Sequence, residues 1–348
     1  MKFQVKFEND IIIFYDFNWR QIKMKILVTG CAGFIGNKVC EILLNKGNLV
    51  FGIDNLNSSY DISLKKYRLN NLVSNTNFKF FELDISDYQS IEKTVFNQIG
   101  NDVFEVIINL AARAGVRQSV ENPWTYYQSN TIGTLNLLEL CKKWSIPKFV
   151  LASTSSLYGL NKNMPFLENI NTDEVLSPYA ASKKACETLA YTYHYLHKID
   201  ISILRFFTVY GPAGRPDMSI FKFIKAIDEE KPITIFGDGK QSRDFTYVED
   251  IAKGTIASII PLGYQIVNLG NDNPIILSKI VKLIENYLNK KAIINFTPAH
   301  AADVKHTWAN IEKAKNILKW QPSISIEEGI KRTVDWYSEN KTWLSGIK

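Results

Sequence analysis

The sequence lacks the features that mark membrane proteins and nucleic-acid-binding proteins. No apolar run approaches the ~20 residues that a helix needs to cross a bilayer, which argues against a membrane-spanning protein and against a membrane partner. No block of basic residues is present either, because 41 Lys and Arg and 35 Asp and Glu leave a net charge of +6 that is spread along the chain. This distribution is typical of an ordinary solvated surface and argues against a nucleic-acid partner.

Cysteine is also scarce. The four cysteines, Cys31, Cys40, Cys141 and Cys186, show no C-x-x-C spacing and no neighbouring histidine that would complete a metal site. We therefore expect free thiols rather than disulfides or metal ligands, and no bound metal. Free thiols indicate a reducing compartment, so we expect a cytoplasmic protein.

The first 23 residues stand apart from the rest of the chain. Their three acidic residues surround a short apolar run, which is too acidic and too short for a secretory signal peptide. The segment 1–23 could be an added edge strand, a tail, or the result of a start codon assigned too early, and we favour the last interpretation.

From Met24 onward, apolar strands alternate with amphipathic helices, which is typical of a parallel sheet with helices on both faces. We predict a Rossmann-like, doubly wound α/β fold. Its strands are predicted at 25–29, 49–53, 78–83, 106–110, 149–152 and 201–205, and its helices at 35–46, about 130–144 and 178–197. We expect a sheet domain over 24–205 and a smaller mixed α/β lobe over 206–348, from which segments 248–260 and 264–269 could return to the sheet.

The turn after the first strand, residues 29–36, is rich in glycine. Gly30 permits a tight turn, Gly33 lets the backbone approach a phosphate, and Gly36 lets the next helix pack closely on the strand. Such a turn binds a dinucleotide pyrophosphate. Asp54, at the end of the second strand, would accept hydrogen bonds from the ribose hydroxyls and repel a 2′-phosphate, so we predict that the 24–205 domain binds NAD rather than NADP.

Each of these residues also has a plainer interpretation. The glycines could form only a tight turn, and Asp54 could only start a turn with Asn55. Asp84 and Ile85 follow the third strand, where they would meet the adenine, but Asp84 could equally be a helix N-cap.

Tyr179 and Lys183 lie four residues apart, on one face of a predicted helix. A phenol has a pKa of ~10, and a nearby ammonium and an oxidised nicotinamide would both lower it. The pair therefore predicts a general base beside a redox cofactor. Because this spacing also arises by chance on exposed helices, the glycine-rich turn in the same chain is needed to support the prediction.

Together, these motifs resemble the extended short-chain dehydrogenase/reductase family, from Met24 to about Tyr337. Residues 153–159, 204–212 and 243–250 are similar to segments of the sugar-nucleotide epimerases of that family. The resemblance implies Thr154, Tyr179 and Lys183 as the catalytic residues. It also implies a cofactor site formed by Gly30, Gly33, Phe34, Ile35, Gly36, Asp54, Asn55, Asp84, Ile85, Leu110, Ala111, Ala112, Asn130, Ser153, Tyr179, Lys183 and Phe206.

Residues 111–119 and 214–218 resemble a narrower group, the UDP-glucuronate 4-epimerases. That resemblance implies NAD-dependent inversion of UDP-glucuronate at C4, through a transient 4-keto sugar, to UDP-galacturonate. The substrate contacts implied are Arg117, Ser155, Ser156, Thr208, Arg215, Arg243 and Asp303. Arg215 would bind the uronate carboxylate, since guanidinium groups bind carboxylates well, although it could also be a surface arginine before a proline.

Other functions stay open. A UDP-glucose or UDP-N-acetylglucosamine 4-epimerase would differ only in the sugar substituents. A UDP-glucuronate decarboxylase carries a glutamate in place of Ser156, and 4,6-dehydratases carry an acidic pair in place of Ser155 and Ser156, so both are less favoured. A non-catalytic nucleotide-binding relative would usually lack Tyr179 or Lys183. His300 stands where UDP-hexose epimerases usually have an arginine for the diphosphate, which weakens that contact or transfers it to Arg243.

The family resemblance also implies a homodimer. The helix near 130–144 and the helix that carries Tyr179 would form a four-helix bundle with their copies. We expect these helices to carry apolar residues beyond the stripe that packs on the sheet, namely Leu135, Leu138, Leu189, Tyr193 and Leu196. The alternative is that both helices pack only on the sheet.

Overall fold

The structure is a computed structural model that describes residues 23–99, 103–298 and 303–347. Residues 1–22 and His300 lie outside the described residues, so the interpretations of both stay predictions. Within the described ranges, none of the helices has the length and apolar character required to cross a membrane.

Strands and helices alternate along the chain. The strands are β1 Lys25–Thr29, β2 Leu49–Asp54, β3 Phe78–Glu82, β4 Val106–Asn109, β5 Lys148–Thr154, β6 Asp200–Phe206, β7 Thr208–Tyr210, β8 Pro232–Phe236, β9 Ser242–Tyr247, β10 Tyr264–Leu269, β11 Pro274–Ile276 and β12 Ile293–Thr297. The helices are α1 Phe34–Asn45, α2 Ile62–Val73, α3 Tyr88–Ile99, α4 Val116–Glu121, α5 Pro123–Tyr126, α6 Gly133–Lys143, α7 Pro178–His197, α8 Ser219–Asp228, α9 Val248–Ala257, α10 Leu277–Leu288 and α11 Ile326–Leu344. Short π-helical segments cover Tyr127–Ile132 and Ala314–Leu318, and a 3₁₀ turn covers Ser155–Tyr158.

The central sheet is parallel and runs in the order β10-β6-β5-β4-β1-β2-β3. Both of its faces are covered. In β1, Ile26 and Val28 point to a core shared with α1 and α9, whereas Leu27 points to a core shared with α3, α6 and α7. The predicted Rossmann-like, doubly wound fold is therefore confirmed. The strand order reverses between β1 and β4, which is where ligands bind in open α/β sheets.

Two small sheets follow later in the chain. In one, β9 pairs in parallel with β7 and antiparallel with β11, and in the other β8 pairs in parallel with β12. They share a separate hydrophobic core with α8, α10 and α11. β10 does not join these sheets, because it pairs with β6 at the edge of the central sheet.

Most predicted elements differ from the structure by at most a single residue at either end, and two differ in ways that bear on the site. The helix predicted at about 130–144 begins as the π-helical segment Tyr127–Ile132 and continues as α6. The strand predicted at 149–152 is longer, because its pairing with β6 continues to Thr154. The longer strand places Ser153 and Thr154 on the rigid sheet rather than on a loop.

Candidate active site

A cleft opens beside the reversal in strand order. It is lined by every residue of the predicted cofactor site except Asn130: Gly30, Gly33, Phe34, Ile35, Gly36, Asp54, Asn55, Asp84, Ile85, Leu110, Ala111, Ala112, Ser153, Tyr179, Lys183 and Phe206. The cleft also has lining residues that the sequence did not indicate, among them Asn57, Ser59, Tyr60, Lys65 and Ser129. Arg215, predicted as a substrate contact, lies in the same cleft.

The glycine-rich turn has no room for side chains at Gly30, Gly33 and Gly36. Gly30 has a φ of +71°, and a Cβ on Gly36 would lie 2.0 Å from the main-chain oxygen of Gly30. Helix α1 begins at Phe34, directly after Gly33, with no side-chain cap and no acidic residue in its first turn. Its first N–H groups and its dipole therefore favour an anion, which fits the pyrophosphate of a dinucleotide.

Asp54 lies buried at the end of β2 and is fixed by three neighbours. Its carboxylate accepts hydrogen bonds from the main-chain N–H of Ala32 at 3.2 Å and of Leu56 at 2.9 Å. Lys65 Nζ lies 3.6 Å from Asp54 Oδ1. Burial lowers the pKa of Lys65, and the charge of Asp54 opposes that change. Lys65 lies on α2, a helix that the sequence pattern did not indicate.

Asp84 is placed by local hydrogen bonds. Asp84 Oδ1 accepts from the main-chain N–H of Ser86 at 2.8 Å, and Asp84 Oδ2 accepts from Asn55 Nδ2 at 2.6 Å. Burial opposes ionisation, but these hydrogen bonds outweigh it and lower the pKa of Asp84. The alternative that Asp84 caps the next helix is wrong, because Asp87 makes the capping contact, with the N–H of Ser90 at 3.0 Å.

Asn130 has a different place from the one predicted, because it is only 1% exposed and does not line the cleft. Its side chain accepts from the main-chain N–H of Arg113 at 2.8 Å and donates to Ser182 Oγ at 2.9 Å. The π-helical segment turns Asn130 inward, and π-helical turns often occur at functional sites. Asn130 thus joins the segment after β4 to α7.

Tyr179 lies in the first turn of α7, which begins at Pro178 and is capped by Ser177. Burial raises the pKa of Tyr179, while a hydrogen bond with Thr154 and the positive charge of Arg215 oppose that rise. The expected lowering of this pKa by Lys183 and an oxidised nicotinamide together stays a prediction, because within the protein itself the cost of burying a phenolate is the larger effect. The positive charge of Arg215 favours the phenolate.

Lys183 is 3% exposed and its Nζ donates to the main-chain oxygen of Ala152 at 2.8 Å. Burial lowers the pKa of Lys183, and the neighbouring Cys186 and Glu187 oppose that change. Because Ala152 is in β5, this hydrogen bond fixes the lysine against the floor of the cleft.

Arg215 is already engaged within the protein. Its guanidinium donates to Asp217 Oδ1 from Nε at 3.0 Å and to the main-chain oxygen of Ala114 from Nη2 at 3.1 Å. It lines the cleft together with Tyr179, and it also lines an adjoining smaller cavity with Thr208. The alternative, that Arg215 is only a surface arginine before a proline, does not fit these contacts. The pairing of Arg215 with Asp217 was not predicted from the sequence.

Arg117, Arg243 and Asp303 form a separate charged group. Arg117 Nε donates to Asp303 Oδ1 at 3.3 Å, and its guanidinium stacks over the ring of Phe236 at 3.7 Å. Burial lowers the pKa of Arg243, with Asp303 opposing and Arg117 reinforcing the change. These three residues do not appear among the lining residues of the cofactor cleft.

The remaining predicted substrate contacts are close to Thr154 in the chain. Ser155 and Ser156 lie in the 3₁₀ turn after β5, and the main-chain N–H of Ser156 donates to Thr154 Oγ1 at 3.1 Å. Within the described ranges, no group of three or more His, Cys, Asp and Glu residues could hold a metal ion, and all four cysteines are free and buried.

The fold and the cleft define a class, that of α/β proteins with a dinucleotide cleft and a tyrosine–lysine pair on one helix. More particularly, the chain belongs to the family described as GDP-mannose 4,6 dehydratase, whose model matches residues 27–333. The predicted membership of the extended short-chain dehydrogenases/reductases is thereby confirmed.

Several known proteins are similar over nearly the whole chain. A UDP-glucuronate 4-epimerase of Thermodesulfobacterium geofontis is 57% identical over 323 residues, which cover 92% of this chain and 98% of the relative. The crystal structure of a Bacillus cereus UDP-glucuronic acid 4-epimerase in complex with UDP-glucuronic acid and NAD is 37% identical, with a TM-score of 0.84 and coverage of 91% and 100%. A Thermotoga maritima UDP-glucose 4-epimerase structure with UDP-glucose is 30% identical, with a TM-score of 0.83 and the same coverage.

Proposed function

We propose that this chain is an NAD-dependent UDP-sugar 4-epimerase that interconverts UDP-glucuronate and UDP-galacturonate. The observation that carries the proposal is that one cleft contains the glycine-rich turn, Tyr179, Lys183 and Arg215. The similarity to UDP-glucuronate 4-epimerases at up to 57% identity supports it. The division of labour that we propose is an NAD-binding domain over 24–205, completed by β10, and a mainly substrate-binding lobe over 206–348.

Tyr179 is the proposed general base. It takes the proton of the sugar 4-hydroxyl, either directly or through the hydroxyl of Thr154. NAD, when bound, supplies reversible oxidation at C4, so that the sugar becomes a 4-keto intermediate and is reduced again from its other face. Lys183, held at Ala152, is the proposed electrostatic partner of Tyr179 and supplies positive charge on the same helix.

Arg215 is the proposed contact of the uronate carboxylate, with Ser155, Ser156 and Thr208 as further donors. The 4-keto uronate is a β-keto acid, which loses CO₂ when its carboxyl bond aligns with the π system of the ketone. Several donors that hold the carboxylate keep that bond out of line, which is an effect of positioning. Arg117 and Arg243 are proposed to hold the diphosphate end, and Asp303, which accepts a hydrogen bond from Arg117, is proposed as a further substrate contact.

A UDP-glucose 4-epimerase is the second candidate. Asp217 already neutralises much of the charge of Arg215, with one hydrogen bond of 3.0 Å to Nε, and that arrangement would suit a neutral sugar as well. A decarboxylase or a 4,6-dehydratase is less favoured, because serines occupy positions 155 and 156.

The test is to incubate the purified protein with UDP-glucuronate, UDP-glucose or UDP-N-acetylglucosamine and to follow each by NMR. We expect UDP-glucuronate to be converted to UDP-galacturonate, and UDP-glucose to be converted far more slowly.

Tyr179→Phe should lower turnover by ~10²–10⁴, which is typical for loss of a general base. The control is Tyr287→Phe, at an exposed position on α10. Nucleotide released by denaturation should be NAD, and a predominance of NADP would overturn the role of Asp54.

We also propose that the protein is a homodimer and works in a reducing compartment, the cytoplasm. The four free, buried thiols support the compartment. Exposed apolar side chains support the dimer, and they lie on helices that contact α7 and on α7 itself: Val120, Trp124, Tyr127, Tyr191, Tyr195 and Leu196. Of the five residues predicted for this surface, only Leu196 is exposed. Leu138 and Tyr193 are buried in the core, and Leu135 and Leu189 pack against it.

A further inference from the structure

Arg68, on α2, has one of the largest fully buried side chains in the described residues, with 1% of its surface exposed. Its hydrogen bonds end on main-chain oxygens and one phenol rather than on a carboxylate. A buried charge is costly unless hydrogen bonds satisfy it. The groups that Arg68 contacts should therefore explain why a guanidinium is buried here.

Those groups belong to two distant parts of the chain. On one side, Arg68 Nη1 donates to the main-chain oxygen of Ala32, in the glycine-rich turn, at 3.2 Å and to Tyr60 Oη at 2.7 Å. On the other side, Nε and Nη2 both donate to the main-chain oxygen of Ala213, at 2.9 and 2.7 Å, and Nη2 also donates to that of Gly214 at 3.2 Å. One planar guanidinium thus joins the cofactor turn to the loop 211–217.

The backbone of this loop is strained where Arg68 holds it. Ala213 has a φ of +53°, in the left-handed region that residues other than glycine rarely adopt. Both of the short hydrogen bonds to its oxygen come from Arg68. Arg215 lies two residues after Ala213, so the direction of its side chain depends on the conformation of this peptide.

The ring of Tyr60 extends the connection into the cleft. Tyr60 lines the cleft, and three cations lie near its ring centroid: Lys65 at 5.4 Å, Arg68 at 5.5 Å and Arg215 at 5.7 Å. A phenol ring among three cations provides favourable cation–π contacts that reduce their mutual repulsion. Tyr60 therefore links the residue beside Asp54 to the residue beside Tyr179.

We propose that Arg68 is a positioning residue that ties the loop 211–217 to the cofactor turn and thereby fixes Arg215 over the reaction centre. The inference rests on the proposed function, because it concerns the choice of a uronate through Arg215. It goes beyond that function in making the substrate preference depend on a residue that touches neither the sugar nor the reacting atoms. If Arg68 only filled space in the core, its loss would affect stability and both substrates alike.

The first experiment compares kcat/KM for UDP-glucuronate and UDP-glucose in the NAD-loaded wild type and in Arg68→Lys. Lysine keeps the charge, but its three donors sit on one nitrogen and cannot reproduce the five hydrogen bonds that the three nitrogens of the guanidinium make on both sides. We expect the ratio of the two kcat/KM values to fall by about tenfold. Lys66→Ala, at an exposed position on the same helix, should leave the ratio unchanged. An equal loss for both sugars would overturn the inference.

The second experiment does not depend on the substrate. In the NAD-loaded protein, amide hydrogen exchange is measured by mass spectrometry for the segment 213–218. Arg68→Lys should speed exchange there, with Lys66→Ala behaving as wild type. If the wild type does not epimerise UDP-glucuronate, the proposed function fails, but this measurement still decides the role of Arg68. Unchanged exchange would overturn it.

A rescue variant separates positioning from general stability. Glycine adopts a φ of +53° without strain, so Ala213→Gly in the Arg68→Lys background should restore part of the substrate ratio. An absence of recovery would contradict the role assigned to the Ala213 peptide.

If Arg68→Lys does not fold, a milder variant is used. Tyr60→Phe removes one hydrogen bond to the guanidinium and should speed amide exchange at 213–218 to a smaller degree. The absence of any increase would then overturn the inference.

Discussion

At the scale of single residues, the acidity of Tyr179 depends on what surrounds its hydroxyl. Burial raises the pKa, and Thr154 and Arg215 oppose the rise. Because the base must be ionised to accept a proton, kcat/KM should increase with pH until the pKa is passed. Thr154→Val removes a group that lowers the pKa, so the rising limb of the pH–rate profile should move to higher pH.

The measurement is the pH dependence of kcat/KM in the wild type and in Thr154→Val. Thr188→Val is the control, because Thr188 is an exposed residue on α7, the helix of Tyr179. Among the described contacts, its hydroxyl donates only to the main-chain oxygen of Lys184, at 3.1 Å. If the rising limb of the pH–rate profile does not shift in Thr154→Val, or shifts to lower pH, the role assigned to Thr154 is contradicted.

Arg215 has two separable effects. Arg215→Ala should reduce kcat/KM for UDP-glucuronate by about ten- to a hundredfold more than for UDP-glucose, because a charge-assisted hydrogen bond is worth roughly 1.5–3 kcal/mol. It should also move the pH limb upward for both sugars, because the cation lowers the pKa of Tyr179. The sugars are therefore compared on the pH plateau.

A further product should reveal the loss of the carboxylate contact. With its carboxylate less restrained, the 4-keto intermediate should lose CO₂, and a trace of UDP-pentose should appear among the products of Arg215→Ala. Lys222→Ala, at an exposed position of α8, is the control. Equal losses on both sugars would mean that Arg215 holds the diphosphate or the loop instead.

The residues that sequence reasoning missed fall into two groups. Tyr60 and Lys65 act through contacts with residues elsewhere in the chain, and Lys65 lies on a helix that was not predicted. Asp217 bonds Arg215 only two residues away, but the sequence does not show that the two side chains point toward each other. By contrast, Gly30 and Gly36 could be predicted, because the requirement for glycine is set by the local turn. Asn130 was assigned to the cleft from family resemblance, but the π-helical turn that moves it inward has no simple sequence signal.

At the scale of secondary-structure elements, α7 is joined to the sheet by a buried polar group. Glu187 Oε1 accepts from Ser153 Oγ at 2.6 Å and from Arg205 Nε at 3.0 Å, and Oε2 accepts from Arg205 Nη2 at 2.8 Å. Arg205 also bonds Tyr158 Oη at 3.1 Å. These contacts connect the helix of the proposed base with β5, β6 and the turn after Thr154.

Glu187→Ala should therefore be strongly destabilising. Removal of one partner of a buried ion pair leaves the other charge uncompensated, which typically costs about 3–5 kcal/mol. The measurement is the melting temperature of the NAD-loaded protein. Glu328→Ala, which breaks the exposed Glu328–Arg332 pair on α11, should leave the melting temperature nearly unchanged. Similar melting curves for both variants would contradict the role of Glu187.

The central elements were the easiest part of the fold to predict. Helix α7 has the predicted bounds, because Ser177 and Pro178 give a clear start and the apolar spacing is regular. Strands β1, β2, β4, β5 and β6 were found because apolar runs mark parallel strands buried on both faces. Strand β3, at the edge of the sheet, was found from its three phenylalanines although it is only partly buried. Helix α2 was missed because its buried face includes Lys65 and Arg68, which sequence patterns assign to solvent.

At the scale of the whole molecule, the proposed dimer should depend on Trp124. This side chain is 83% exposed, on the short helix α5 next to the π-helical segment and α7. An indole this exposed is unfavourable in water, and burying it against a second copy would remove its apolar surface from solvent. Trp124→Arg should place a charge in that interface and give a monomer.

Light scattering at micromolar concentration measures the mass of both forms. Leu160→Arg is the control, because Leu160 is 70% exposed on the turn after β5 and not on these helices. A monomeric wild type would contradict the dimer, and a dimeric Trp124→Arg would show that another surface is used.

The position of β10 has a consequence for synthesis of the chain. A nascent polypeptide that has emerged from the ribosome only as far as α9 already contains Tyr179, Lys183 and the whole glycine-rich turn, but β6 then has pairing on one side only. Such an open strand edge is a site for pairing with other chains. The central sheet is completed when Tyr264–Leu269 is released, so correct folding comes late in translation. A product that terminates before β10 should aggregate although it carries the complete tyrosine–lysine motif.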